Sequence, residues 1–217
     1  MNDVVEFPSG PLEEEPPEAA TVFGERLSRV REFTELLYRE GELRGLIGSL
    51  EPARLWTRHI INSGLMAPLL KSGRLGDVGS GAGLPGVVLA IARPDVECIL
   101  IEPMSRRVDW LNEVKQLLHL DNVSVIRDRA EDYRPVPLLD QVTARAVSAL
   151  RTLIPITAPL LRPGGELLLM KGERVYQEVE AAEKAMRKHR VVDPEVLVLG
   201  EELNTEVTRI FRARIAE

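Results

Sequence analysis

The chain has one cysteine, Cys98, among 217 residues and only three histidines, which excludes a disulfide framework and leaves no Cys/His spacing suited to a structural metal. Cys98 lies in the apolar run from Val96 to Ile101 and reads as a buried strand residue. No apolar stretch approaches the roughly 20 residues of a bilayer span. The first residues are acidic where a secretory leader would be basic, so a cytoplasmic protein without membrane segments is expected. Basic charge is also short: the formal net charge of −6 argues at first against a nucleic-acid partner. Position changes that reading. Residues 1–20 carry Asp3, Glu6, Glu13, Glu14, Glu15 and Glu18 with no Lys or Arg, so the tail alone accounts for the imbalance. With Pro8, Pro11, Pro16 and Pro17 and few large apolar side chains, residues 1–20 read as a disordered, solvated tail. No internal repeat is visible, and the length suits one domain.

From Val22, Phe23, Leu27, Val30, Phe33 and Leu37 recur at helical spacing between Glu and Arg, which predicts an amphipathic helix ending near Gly41. A second helical stretch opens at Glu51-Pro52 and carries Leu55, Trp56, His59, Ile60, Met66 and Leu69. Together, residues 21–72 form an expected helical cap. Beyond Gly73, short β-rich runs (75–79, 96–102, 122–127, 139–145 and 165–171) alternate with helical ones (84–92, 104–119, 148–161 and 173–189). This alternation predicts βαβ units and a mostly parallel sheet. Val191 to Leu199 and Val207 to Ile215 have no room for a crossover helix between them, so the sheet should end in an antiparallel pair. The expected fold is α/β and Rossmann-like, with residues 73–217 forming one globular unit with the cap.

The strongest chemical signal is Leu75-Gly76-Asp77-Val78-Gly79-Ser80-Gly81-Ala82-Gly83-Leu84-Pro85-Gly86, a strand running through a glycine turn into a helix. Glycines there permit positive φ and close approach to a nucleotide-like ligand. The second strand ends in Ile101-Glu102, placing a carboxylate beside the turn where it can accept hydrogen bonds from ribose hydroxyls. NAD and S-adenosylmethionine both offer such a ribose. Three features favour the methyl donor: Asp77 two residues before Gly79, in a form that looks like the methyltransferase cofactor motif; the final antiparallel pair; and the absence of a separate substrate domain. Asp77, Gly79, Ser80, Gly81, Gly83 and Glu102 are accordingly the candidate donor-binding residues. Arg145 and Lys171, at the ends of the fourth and fifth strands, fall on the same sheet edge.

Over roughly residues 22–215 the chain resembles the bacterial 16S rRNA guanine-N7 methyltransferases of the glucose-inhibited division protein B type (RsmG). The resemblance rests on the unbroken glycine segment with Leu84-Pro85, and on Arg58-His59-Ile60-Ile61-Asn62-Ser63, Arg106-Arg107-Val108 with Trp110-Leu111, Arg129-Ala130-Glu131, Ala144-Arg145-Ala146 and Lys171-Gly172 in family order. It implies methyl transfer from S-adenosylmethionine to N7 of guanine 527 in the 530 loop of the small-subunit rRNA. It also implies that Gly79 and Leu84 line the donor's path, Glu102 holds its ribose, Ala130 and Glu131 approach its adenine, and Arg145 stands near the reacting end. The partner would be 16S rRNA or the small ribosomal subunit, met by a monomer. Asn62 stands where many members have Asp, and Asn204-Thr205-Glu206 where some have a basic pair.

Guanine N7 has a free lone pair and the sulfonium is already activated, so positioning can supply most of the rate, roughly 7–11 kcal/mol. Arg145, Lys171 and His59 are the candidate positioning residues. Arg54, Arg58, Arg106, Arg107 and the run Arg187-Lys188-His189-Arg190 are candidate phosphate contacts, and Trp56, Trp110 and Tyr133 candidate stacking residues, with helix packing favoured for Trp110. A methyltransferase with a small-molecule acceptor and a non-catalytic nucleotide-sensing protein are the competing readings.

Overall fold

The computed structural model describes residues 8–203 and 205–217. The cap comes first. Helix α1 (Glu18–Phe23) and the amphipathic α2 (Leu27–Gly41) bury Phe23, Leu27, Val30, Phe33 and Leu37, the apolar stripe predicted from their spacing. The second cap stretch is not one regular helix. A 3-10 turn at Pro52–Arg54 leads into a π-helical segment, Leu55–Ile61, then the single α-turn α3 (Asn62–Gly64) and a 3-10 turn at Ala67–Leu69. In π-helical winding, side chains four and five apart share a face, and the buried set Leu55, Trp56, His59, Ile60 and Ile61 follows that spacing.

The sheet strands are β1 (Gly73–Val78), β2 (Val96–Ile101), β3 (Val123–Ile126), β4 (Leu139–Arg145), β5 (Leu161–Lys171), β6 (Val191–Leu199) and β7 (Thr208–Ile215). They form one seven-stranded sheet in the order β3-β2-β1-β4-β5-β7-β6. Pairing is parallel from β3 through β5, whereas β7 runs antiparallel to both β5 and β6, as the spacing of the last two runs predicts. Crossovers are α4 (Gly86–Ala92), α5 (Ser105–Leu117), α6 (Leu150–Thr157), and the pair α7 (Val175–Ala181) and α8 (Glu183–Lys188). The helical run expected over 148–161 is shorter because β5 begins at Leu161, and the one over 173–189 is divided where ψ opens to −2° at Ala182.

Parallel strands covered on both faces need near-continuous apolar runs. Cys98 to Ile101 and Leu167 to Leu169 supply them, with successive residues entering opposite cores. One core joins Phe33, Trp56 and Ile60 of the cap to Val88, Leu100, Trp110 and Leu168, so cap and sheet share a single hydrophobic cluster. The other joins Ile99, Val142, Ile154, Leu169 and Phe211 beneath α6 to α8. At the outer edges, β3 is only four residues long, and β6 is interrupted between Val192 and Glu195, where Asp193 has φ +52° and Pro194 donates no hydrogen bond.

From Pro8 onward, the expected solvated tail is instead held on the cap. Glu13 accepts from Thr57 N (3.0 Å) and Thr57 Oγ1 (2.8 Å), Glu15 pairs with Arg31, and Ser9 N donates to Glu42 (2.8 Å). Here the acids act as hydrogen-bond acceptors for named partners, which composition does not reveal. Residues 1–7 of that tail lie outside the described residues.

Gly86 opens α4 against the floor of the glycine turn. A β-carbon there would collide with the Asp77 carboxylate and Leu100 Cδ2, both on neighbouring strands. Gly86→Ala is therefore expected to destabilise the fold by about 1–3 kcal/mol through overpacking, read as a lowered urea midpoint with an unchanged m-value.

Candidate functional site

Strand β1 lies between β2 and β4, so successive crossovers depart to opposite sides and open a crevice at the carboxyl ends of β1 and β4. The glycine turn, Glu102 and Arg145 follow or end β1, β2 and β4 respectively. Lys171 ends β5 on the same edge.

The turn is held by backbone bonds and carboxylates. Gly79 N and Ser80 N donate to Ile101 O (2.9 and 3.3 Å), and Gly83 N donates to Ser80 O (2.7 Å). Gly79, Gly81 and Gly83 have φ of +72°, +55° and +97°, a region that side chains with a β-carbon seldom adopt. Glu102, 1% exposed, accepts from Gly81 N on one oxygen and Met104 N on the other, both at 3.0 Å, with Arg107 Nη1 3.8 Å away. Asp77, also 1% exposed, accepts from Gly86 N (3.1 Å), while its Oδ1 has no partner. Burial pushes the Asp77 carboxyl up to about 7. Beneath the turn, Trp110 is fully packed and its Nε1 donates to Ala82 O (3.0 Å), so this tryptophan pins the loop.

The other candidates fall into two groups. Ala130 is buried and Glu131 exposed in the loop after β3, and Leu84 is part-buried within the turn. His59, projecting from the π-helical segment, is buried between Glu51 on Nε2 and Arg145 on Nδ1. Arg145 can only donate, so Nδ1 accepts and the proton sits on Nε2, facing Glu51. Desolvation, reinforced by the Arg145 charge, lowers His59 to about 4, so the ring is neutral at physiological pH. Desolvation, with the Arg58 charge adding to it, also lowers Arg145 to about 10. Among the described residues no carboxylate pairs with Arg145, and its Nη1 has no hydrogen-bond partner. A buried guanidinium in that state is suited to an incoming acceptor.

Beside Arg145 opens a cleft of about 590 Å³ between the cap, the ends of β4 and β5, and the start of β7. Its lining includes Arg58, Arg145, Lys171, Arg174 and Arg209 against Glu173 and Glu206, a basic excess in an acidic chain. Of the candidate phosphate contacts, Arg58 sits at this rim, 3.4 Å from Glu206. Arg54 pairs with Glu51 (2.6 Å), Arg107 lies behind Glu102, and Arg106 is exposed on α5. The run 187–190 lies away from the cleft at the end of α8. Lys171 is committed to Ser148 O and Glu178, both at 2.7 Å. Sequence reasoning missed Glu51 and Glu178. Each meets its partner through tertiary packing, and an acid eight residues before a histidine or seven after a lysine carries no pattern of its own. Among the described residues, no three His, Cys, Asp or Glu side chains gather as a metal site.

This sheet order and a glycine turn answered by an acid on the next strand define a class, the Rossmann-like methyltransferases. Crystalline M. jannaschii TYW2 in complex with AdoMet shares the fold at a TM-score of 0.56 and 19% identity, over 74% of this chain and 76% of that one. The chain belongs to the rRNA small subunit methyltransferase G family, whose model matches residues 26–208. It is 60% identical over 205 residues to the Ribosomal RNA small subunit methyltransferase G of Clavibacter sepedonicus, covering 94% of this chain and 97% of the relative. It is 59% identical over 204 residues to that of Leifsonia xyli subsp. xyli, covering 94% and 98%.

Because the folded state raises the Asp77 carboxyl from 3.8 to about 7, its stabilising contribution is complete below about pH 4 and is lost as pH climbs to about 7. Asp77→Asn keeps an acceptor for Gly86 N and removes this titration. The wild-type melting temperature, relative to the variant's, should therefore decline between pH 4 and pH 7; a constant difference would contradict the assignment.

Proposed function

We propose that this protein transfers a methyl group from S-adenosylmethionine to N7 of guanine 527 in the 530 loop of 16S rRNA. The observation that carries the reading is the basic cleft opening beside a carboxylate-held glycine turn, in a chain of this family. The site fits the donor. The backbone is open at Gly81, where a β-carbon would meet only Gly79 O at 3.7 Å, and Glu102 uses two of the roughly four acceptor positions of a carboxylate on backbone N–H groups, leaving capacity for ribose hydroxyls. Ala130 and Glu131 stand at the same edge for the adenine, with Gly83 and Leu84 shaping the turn and Ser80 and Asp77 bracing it from below.

When bound, the donor supplies an activated methyl group on a sulfonium. Transfer would carry the methyl from sulfur to the N7 lone pair, leaving a neutral thioether and a cationic base. No proton is removed at N7, so no general base is required. What the chain supplies is alignment and a shielded, partly desolvated site. Arg145 acts here as a fixed donor. Its orientation is set by neutral His59, which Glu51 holds in turn, so the cap helps to build the site. Arg106 is the candidate phosphate contact least engaged elsewhere, whereas Arg58 faces Glu206 and Glu51, Arg54 pairs with Glu51, and Arg107 lies beside Glu102. This reading implies a cytoplasmic monomer acting on the small ribosomal subunit.

Incubation with methyl-labelled donor and small subunits or 16S rRNA should yield 7-methylguanosine at that position. Label appearing only on small molecules, or none despite tight donor binding, would overturn the acceptor. Glu102→Ala should weaken donor affinity by about tenfold or more, the loss expected for hydrogen bonds to a charged group; unaltered affinity by calorimetry would remove Glu102 from the ribose.

A further inference from the structure

We propose that Lys171 is a positioning residue whose ammonium, paired with Glu178, clamps the loop after β4 into the wall between the glycine turn and the basic cleft. The Lys171 side chain is 9% exposed and its Nζ reaches Ser148 O and Glu178 Oε2, both at 2.7 Å. The same Glu178 oxygen accepts from Leu150 N (2.9 Å), the first residue of α6, so one carboxylate of α7 ties the end of β5 to the start of α6, the helix that precedes β5. A carboxylate at that terminus also meets the positive end of the helix dipole. Residues 146–149 run from the end of β4 to this helix start. Ala146, on the cleft, has φ +53°, a strained conformation for a residue with a β-carbon that persists only where its surroundings enforce it. Val147 lies over the glycine turn, with its Cγ2 3.1 Å from the position of a β-carbon on Gly79. The loop therefore touches the turn through Val147, the cleft through Ala146 and the clamp through Ser148.

With two of its three N–H donors on a carbonyl and a carboxylate and its charge met by Glu178, Lys171 is held to the loop rather than offered as a mobile phosphate contact. Removing either partner would leave the other charge largely buried and release the loop. The effect on turnover rests on the methyl-transfer reading, but the clamp itself does not.

The test uses the full chain with Lys171→Met, Lys171→Arg, Glu178→Gln and the Met/Gln double variant. Glu178→Gln retains an acceptor for Leu150 N, so it keeps the test available if Lys171→Met fails to fold. Backbone NMR order parameters over 146–149 should fall in Lys171→Met and Glu178→Gln alike, and no further in the double variant. For transfer to small subunits, kcat should fall by up to about 10²-fold, as misplacement near a reacting centre does, with acceptor KM unchanged and partial recovery in Lys171→Arg. Salt dependence of rRNA binding should match wild type. The proposal is overturned if the order parameters over 146–149 stay as in wild type. It is equally overturned if Lys171→Met lowers the salt slope by about 1, the mark of a lost phosphate contact, while Glu178→Gln remains fully active. If the wild type methylates no rRNA, the acceptor reading fails and the order-parameter measurement still judges the clamp.

Discussion

Two buried carboxylates bonded to backbone N–H groups hold the site together. Glu102 fastens the glycine turn to the first residues beyond β2, and Asp77 fastens it to the start of α4. A turn whose residues require positive φ has little side-chain packing of its own, so its shape must come from such bonds and from Trp110 below. The arrangement is costly at Asp77, where one oxygen lacks a partner and the carboxyl resists ionisation. That cost is accepted at a position from which β1, α4 and the turn are all reached at once.

The second half of the site depends on the cap. His59 is brought to Arg145 by a π-helical segment, a winding that places His59 beside Leu55 and the buried Ile60 on one packed face. Because cap and sheet share one hydrophobic cluster, the Glu51–His59–Arg145 chain spans elements that pack as a unit. The acid-rich segment from Pro8 joins the same body through Glu13 and Glu15, so its charge is partly spent on Thr57 and Arg31. The basic cleft can therefore coexist with an overall negative charge.

Most of the sheet was legible because each parallel strand is a short apolar run, and all but β3 are flanked by glycine or proline and followed by a helical period. The positions of Glu102 and Arg145 at strand ends followed directly, since strand order in sequence decides which residues meet at the carboxyl edge. The π-helical winding was not legible, because apolar residues at 55, 56, 59 and 60 suit an α-helix equally well. Nor could the sequence distinguish Lys171 as a cleft charge from Lys171 as a clamp. That depends on Glu178 lying opposite it, a matter of how α7 packs on β5. The anchoring of residues 8–20 was hidden for a similar reason: composition counts acids but does not identify the donors they meet.

The two outer strands carry a consequence for how copies of the chain meet. A flat, regular border strand exposes unpaired N–H and C=O groups that another polypeptide can extend. Here one border is too short to serve as a template. The other is bent by Asp193 and deprived of a donor by Pro194. Growth of the sheet from molecule to molecule is thus discouraged at both ends.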